Sequence, residues 1–323
     1  MQLSITPIEL GERLDLFLVE KFSDYSRSQI QQGIDGGRVL VNGKIRNSSY
    51  KLREGDTVEF DKDAFAKFEQ AAEIIGENIP LDILYQDSDL AVINKPAGMV
   101  VHPAAGNSNN TLVNALLNQY PEIANVKTDD SDLAALRPGI VHRLDKDTTG
   151  VILVAKNQKT LESLSKQLKN RSIKKRYLAL VSGWPSEKGS LKDFLARDKK
   201  NRKKIATTTK DDGREAISNF KVVDYFATKE KQPVSLLEIE IPTGRTHQIR
   251  VQFKHAGFPL IGDQTYNTKE SRELSKKLGA TRQMLHAANI VFTKPDGNSL
   301  TSVTAEEPAD FQKVKSRLTS HIS

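Results

Sequence analysis

Residues 151–155 read Val-Ile-Leu-Val-Ala, and the fourteen residues before them, Arg137 to Gly150, are crowded with charge. An apolar run with no polar alternate has no wet face, so it predicts a strand buried on both sides and central in its sheet. Other elements arrange themselves around it. Leu90–Ile93 is a short apolar strand closed by the turn signal Asn94-Lys95-Pro96-Ala97-Gly98. Leu161, Leu164 and Leu168 mark a helix that leads into a strand at Tyr177–Ser182. Leu237, Ile239 and Ile241 alternate with Glu238 and Glu240, a strand with one face towards water. Leu285–Phe292 gives a late strand. Together they predict an α+β domain over 80–323 with a mixed, mostly antiparallel sheet.

Residues 1–62 predict a second, smaller domain. Leu14, Phe17, Leu18 and Phe22 keep helical spacing. Ser26-Arg27-Ser28-Gln29 has the form of a capping box, opening a second helix that Gly36-Gly37 stops. Arg38–Lys44 reads as a strand with an Asn-Gly turn, and Lys51–Asp56 as a turn leading into the strand Thr57–Phe60. Between Arg27 and Arg53 stand six basic residues (Arg27, Arg38, Lys44, Arg46, Lys51 and Arg53) and one acid, Asp35. Residues 63–79 predict a linker, helical in part.

The chain has 323 residues, a length that suits roughly two domains. No apolar run approaches the ~20 residues of a membrane-spanning helix, and the N-terminus lacks the pattern of a signal peptide, so a cytoplasmic protein off the membrane is expected. With no cysteine, disulfides, zinc knuckles, iron–sulfur clusters and thiol nucleophiles are excluded. The six histidines show no metal-ligand spacing, so no metal is expected. Net charge is +7, a tilt towards polyanions, and it is concentrated. Residues 156–215 hold 18 Lys+Arg against 7 Asp+Glu, an excess of 18 − 7 = +11, with the densest run at 199–204. That run is either a solvated loop or a grip on phosphate backbone.

Chemistry is concentrated in the segment before the apolar strand. An ionised carboxylate flanked by Arg143 and Lys146 can act as nucleophile or general base, although an Asp in a loop more often caps a turn. The residues alone do not choose between Asp145 and Asp147.

Residues 12–60 resemble the S4-like (αL) RNA-binding domain through Arg13-Leu14-Asp15, Ser26-Arg27-Ser28, Gly37-Arg38-Val39, Val41-Asn42-Gly43 and Lys51–Asp56. His142-Arg143-Leu144-Asp145, continuing Lys-Asp-Thr-Thr-Gly, resembles the signature of RluA-type pseudouridine synthases, in particular the RluD-like branch. Asn94–Gly98, Val101-His102-Pro103, Lys175-Arg176-Tyr177, Gly244–Arg250 and Leu285-His286-Ala287 follow the same family's order. The resemblance departs at Gln252, where His is expected, and at Gln264, where Pro is expected; both bear on substrate contacts.

The resemblance implies an isomerase of uridines in structured RNA, a large-subunit ribosomal RNA stem-loop or else transfer RNA, working without a cofactor and as a monomer. It implies Asp145 as the catalytic aspartate, Tyr177 as the aromatic that stacks on the target base, Arg245 as the partner of the aspartate, and Arg143 as the side chain that fills the space of the flipped nucleotide. In the small domain, Arg27, Arg38, Lys44 and Arg46 are the expected RNA contacts. Two other classes compete: a non-catalytic RNA-binding or ribosome-assembly factor, which needs no such set, and a metal-dependent nuclease, which needs ligand clusters.

Overall fold

Short apolar segments separated by turn chemistry build the N-terminal part, as the computed structural model shows. The structure describes residues 1–6, 9–22, 24, 25, 27–61, 64, 65, 74–103, 107, 109–127, 137–198, 201, 204–297 and 299–320. Met1–Ile74 belongs to one unit, and Ile75–Lys127 with Arg137–Ser323 to another.

The first unit contains β1 (Gln2–Ser4), α1 (Leu14–Lys21), α2 (Arg27–Asp35), β2 (Val39–Val41), β3 (Lys44–Ile45) and β4 (Thr57–Phe60). Its strands form one antiparallel sheet in the order β1-β4-β2-β3. Leu14, Phe17 and Leu18 of α1 meet Ile30 and Ile34 of α2 and Val58 of β4 in one core, with Phe22 packed against it. Asn42 and Gly43 both adopt positive φ, 53° and 68°, the backbone a two-residue hairpin requires. Asn42 also accepts from the Thr57 N–H and donates to Asp56, tying the hairpin to β4. Ser26 lies outside the described residues, and so does most of the 63–79 linker; its described end, 74–79, carries no helix.

The second unit runs β5 (Ile83–Gln86), β6 (Leu90–Lys95), α3 (Leu112–Gln119), β7 (Thr149–Ala155), α4 (Gln158–Lys169), β8 (Lys174–Ser182), β9 (Lys188–Arg197), β10 (Ile205–Thr208), β11 (Arg214–Ala227), β12 (Pro233–Glu240), α5 (Gln248–His255), α6 (Lys269–Lys277), β13 (Leu285–Thr293), β14 (Leu300–Thr304), α7 (Ala309–Lys315) and β15 (Thr319–Ser320). The sheet order is β10-β9-β11-β12-β8-β13-β7-β6-β5, with β14 on β13 and β15 on β11. Among the described strands only β7 and β13 pair in parallel, so the sheet is mixed and mostly antiparallel.

All seven residues of β7 are buried, as its apolar sequence demands. The contact of β7 with β13 is too close for a side chain. Gly150 has φ 108°, and a Cβ there would lie 2.2 Å from the Ala287 carbonyl oxygen. Glycine at this place lets the strand that follows the charged loop dock against the middle of the sheet. On β12, Glu238 and Glu240 are half-buried and pair with Lys221 and Lys174. No helix among the described residues is long and apolar enough to cross a membrane.

Candidate active site

The loop before β7 is fastened along its backbone by buried cations. Lys95, at the end of β6, is fully buried and donates from Nζ to the carbonyls of Pro96 (2.7 Å), Met99 (2.9 Å) and Lys146 (2.9 Å). Three carbonyls take all three N–H groups of an ammonium. Burial drives its pKa down to about 7, with Asp147 and Asp145 pulling the other way. Arg282 donates to the Asp147 carbonyl and holds Asp310 through a two-pronged ion pair. His142 accepts the Leu153 N–H of β7 on Nε2, and burial keeps that imidazole neutral, its pKa lowered to about 3. Its role here is to seat the loop on the strand. Leu144 is buried beside Asp145, and the Thr148 N–H closes a turn onto the Asp145 carbonyl.

These anchors hold the Asp145 side chain at a cleft of about 290 Å³, lined by Val101, His102, Arg143, His247, Arg250 and Gln283 among others. One carboxylate oxygen, Oδ2, accepts from Nη1 of Arg250 at 2.9 Å. Arg250 lies buried on α5 and uses its remaining fork on Asp263, Nε to Oδ2 at 2.7 Å and Nη2 to Oδ1 at 3.1 Å. Burial works against the Arg250 charge, but Asp263 and Asp145 outweigh it and raise its pKa. Asp263 in turn accepts from the backbone N–H groups of Thr265 and Tyr266. The Tyr266 ring lies under the guanidinium, 5.1 Å from centroid to Cζ. A carboxylate so flanked is aimed, and its second oxygen faces His247, whose Nε2 is 3.9 Å from Oδ1. His247 is half-buried, and burial lowers its pKa although Asp145 opposes the shift.

The expected partner of Asp145 was Arg245, and the structure corrects this. Arg245 donates from Nε to the Glu215 carbonyl at 3.0 Å, on β11. The reason is local. His247 takes a left-handed backbone, φ 54°, and α5 begins at Gln248. Arg250 therefore lies one turn from His247 on the same helical face, while Arg245 precedes the turn and points elsewhere. The same motif offered both arginines, and nothing local in the sequence separates them.

Tyr177 on β8 is 6% exposed, and burial first, then the charge of Asp145, raises its phenol pKa. It stands near the carboxylate but is not among the residues lining the cleft. Arg143 is exposed at the cleft. Gln252 is fully buried, donating to Asp193, Leu191 and Ala216 and accepting from Ser218. Its polar atoms are taken up in this internal network. Asp263, Tyr266 and Lys95 had not been singled out from the sequence as site residues, because their roles depend on partners far along the chain.

In the first unit, Arg27 and Arg13 are half-exposed and converge on the buried carboxylate of Asp15, which also accepts from Gln31. Arg38 and Lys44 are exposed, and Arg46 lies over the Tyr50 ring at 5.0 Å. Lys199, Lys200, Arg202 and Lys203 of the densest basic run lie outside the described residues.

Two family models match the chain: RNA pseudouridylate synthase over residues 89–255 and the S4 domain over residues 12–58. The chain belongs to the RNA pseudouridylate synthase family. Among relatives, the uncharacterized RNA pseudouridine synthase YlyB of Bacillus subtilis is 38% identical over 316 residues, covering 97% of each chain. The ribosomal large subunit pseudouridine synthase D of Yersinia pestis is 39% identical, covering 91% of this chain and 88% of its own. Human RNA pseudouridylate synthase domain containing 1 superposes with a TM-score of 0.59 at 23% identity, covering 76% of this chain and 91% of that one, and so shares the fold. As a member of this synthase family the protein is an isomerase acting on RNA, with an N-terminal S4 domain.

Proposed function

We propose that this synthase isomerises uridines of large-subunit ribosomal RNA in the cytoplasm, with Asp145 as the reacting carboxylate. The observation that carries the reading is the asymmetric holding of Asp145: Arg250 fixes Oδ2, and Oδ1 is left towards the cleft. The ribosomal target rests on the likeness to the Yersinia pestis enzyme, whose name gives that RNA. Isomerisation breaks the bond from N1 to C1′ and makes one from C5 to C1′, the C5 proton leaving and N1 gaining one. No net atoms or electrons are exchanged. Asp145 can serve this by attack at C1′, by addition to C6, or by removing the 2′ proton.

A uridine must leave its stack to reach the carboxylate, at a cost of a few kcal/mol. Arg143, exposed at the cleft, is proposed to fill the vacated space, and Tyr177, buried near Asp145, to lie against the extracted base. The domains are proposed to divide as 1–62 for RNA grip, a linker over 63–79 and catalysis in 80–323, with Arg27, Arg38, Lys44 and Arg46 meeting phosphate. The test is base-resolved pseudouridine mapping of total RNA from cells with the gene, without it, and with Asp145→Asn. Sites that vanish in the last two and lie in large-subunit RNA support the reading; sites confined to transfer RNA would replace the target, and unchanged sites would sink it.

A further inference from the structure

The His247 side chain is set by two hydrogen bonds that begin outside the cleft. The Ile205 N–H, at the start of β10, donates to the Tyr266 hydroxyl oxygen at 2.8 Å, and that hydroxyl is 2.8 Å from His247 Nδ1. With the Tyr266 oxygen already taking a donor, its own proton has Nδ1 as the acceptor that the described residues offer it. An imidazole that accepts at Nδ1 carries its hydrogen on Nε2. The Tyr266 and His247 rings meet edge to face at 5.5 Å, which with the hydrogen bond to Nδ1 holds the imidazole in place. Nε2–H therefore points to the same space as Asp145 Oδ1, 3.9 Å away.

That distance is too long for a direct hydrogen bond, but an oxygen about 2.8 Å from both atoms closes the triangle. The group that fits is a hydroxyl, which donates to the carboxylate oxygen and accepts from Nε2–H. The Asp145 oxygen is open for this because Arg250 occupies the other one. We propose that His247 and Asp145 together clasp the ribose 2′-hydroxyl of the target uridine, with Tyr266 as the positioning residue behind His247. The inference rests on Asp145 being the reacting carboxylate, and it names the part of the nucleotide that Asp145 and His247 read. Such a clasp would make the site prefer ribose to deoxyribose and would bring C2′ beside the carboxylate.

The test is a cycle between protein and ligand. Affinities are measured for decauridylate and for its all-2′-deoxy counterpart, with wild type, His247→Asn and Tyr266→Phe. Asparagine tolerates the left-handed backbone at 247, and other 2′-hydroxyl contacts cancel in the comparison. The ribose preference of wild type is expected to shrink about fivefold in His247→Asn, the net worth of one hydrogen bond, and by a smaller factor in Tyr266→Phe. In ¹⁵N spectra of histidine-labelled protein, His247 is expected as the Nε2–H form in wild type and as a tautomer mixture in Tyr266→Phe. Equal losses on both oligonucleotides, or an unchanged ribose preference, would overturn the proposal. Pseudouridine mapping is read separately. Sites that vanish with Asp145→Asn together with an additive cycle lose only this inference, whereas sites unchanged by Asp145→Asn with a non-additive cycle would overturn Asp145 as the reacting carboxylate while the 2′-hydroxyl contact stands.

Discussion

Asp145→Asn replaces a carboxylate by an amide of the same size, so it removes the proposed reacting group with little change in packing. Single-turnover rates are expected to fall by about 10³-fold or more, with RNA affinity close to wild type; a rate near wild type would move attention to Asp147. The two arginines of the same motif are expected to separate cleanly. Arg250→Lys cannot span Asp263 and Asp145, because a point charge lacks the planar fork. Leaving the Asp263 carboxylate buried and badly paired costs on the order of 3 kcal/mol, so the melting temperature falls together with the rate. Arg245→Lys loses one bond to a backbone carbonyl and should leave the rate within about tenfold. If Arg245→Lys proved the more damaging in rate, the geometry around Asp145 would not describe the working site. The motif Gly244–Arg250 was legible in the sequence as a unit; which arginine reached the carboxylate was not, because a single left-handed residue redirects the chain.

At the scale of elements, β6 and the charged loop meet through one lysine. Lys95→Met keeps the bulk of the side chain and strips three donors from the Pro96, Met99 and Lys146 carbonyls. The expected cost is about 3 kcal/mol, read as a lower urea midpoint, with a slower rate because the Lys146 carbonyl adjoins Asp145. An unchanged midpoint would mean that the carbonyls find other partners. In the first unit, α1 and α2 share the buried Asp15. Burial pushes this carboxyl up, but bonds from Arg13, Arg27 and Gln31 win and bring it down to about 2. Its folded pKa is thus below the ordinary value of about 4, so its contribution is complete above that value and lost as pH falls towards 2. Asp56, lowered by its bonds from the Arg53 backbone, Asn42 and Tyr50 despite its burial, acts in the same direction. Hydrogen exchange across pH 5 to 2 should show the first unit losing protection over that window, and Asp15→Asn should flatten the dependence.

For the whole molecule, the proposed division of RNA grip from chemistry is one of charge. Replacing Arg38, Lys44 and Arg46 with Gln leaves the Asp15 cluster and Asp145 untouched. The slope of log affinity against log salt should lessen by about 0.7–0.9 per phosphate contact removed, while the rate at saturating RNA stays the same. A salt titration paired with single-turnover rates decides it; an unchanged slope would mean that these side chains do not meet phosphate. Much of the architecture was already written in local pattern. The unbroken apolar run at 151–155 required a central strand, Asn42-Gly43 required a hairpin, and the leucine spacing at 161–168 required a helix, because periodicity and turn chemistry act over a few residues. The His-Arg-Leu-Asp segment likewise marked where the carboxylate would be. Tertiary structure alone decided what surrounds that carboxylate. Arg250 reaches it across 105 positions of chain, Lys95 reaches its neighbour across 51, and Tyr266 orients His247 only because Ile205 donates to it from 61 residues away. Contacts of that range leave no period in a sequence, since they depend on how strands and helices pack rather than on the residues beside them.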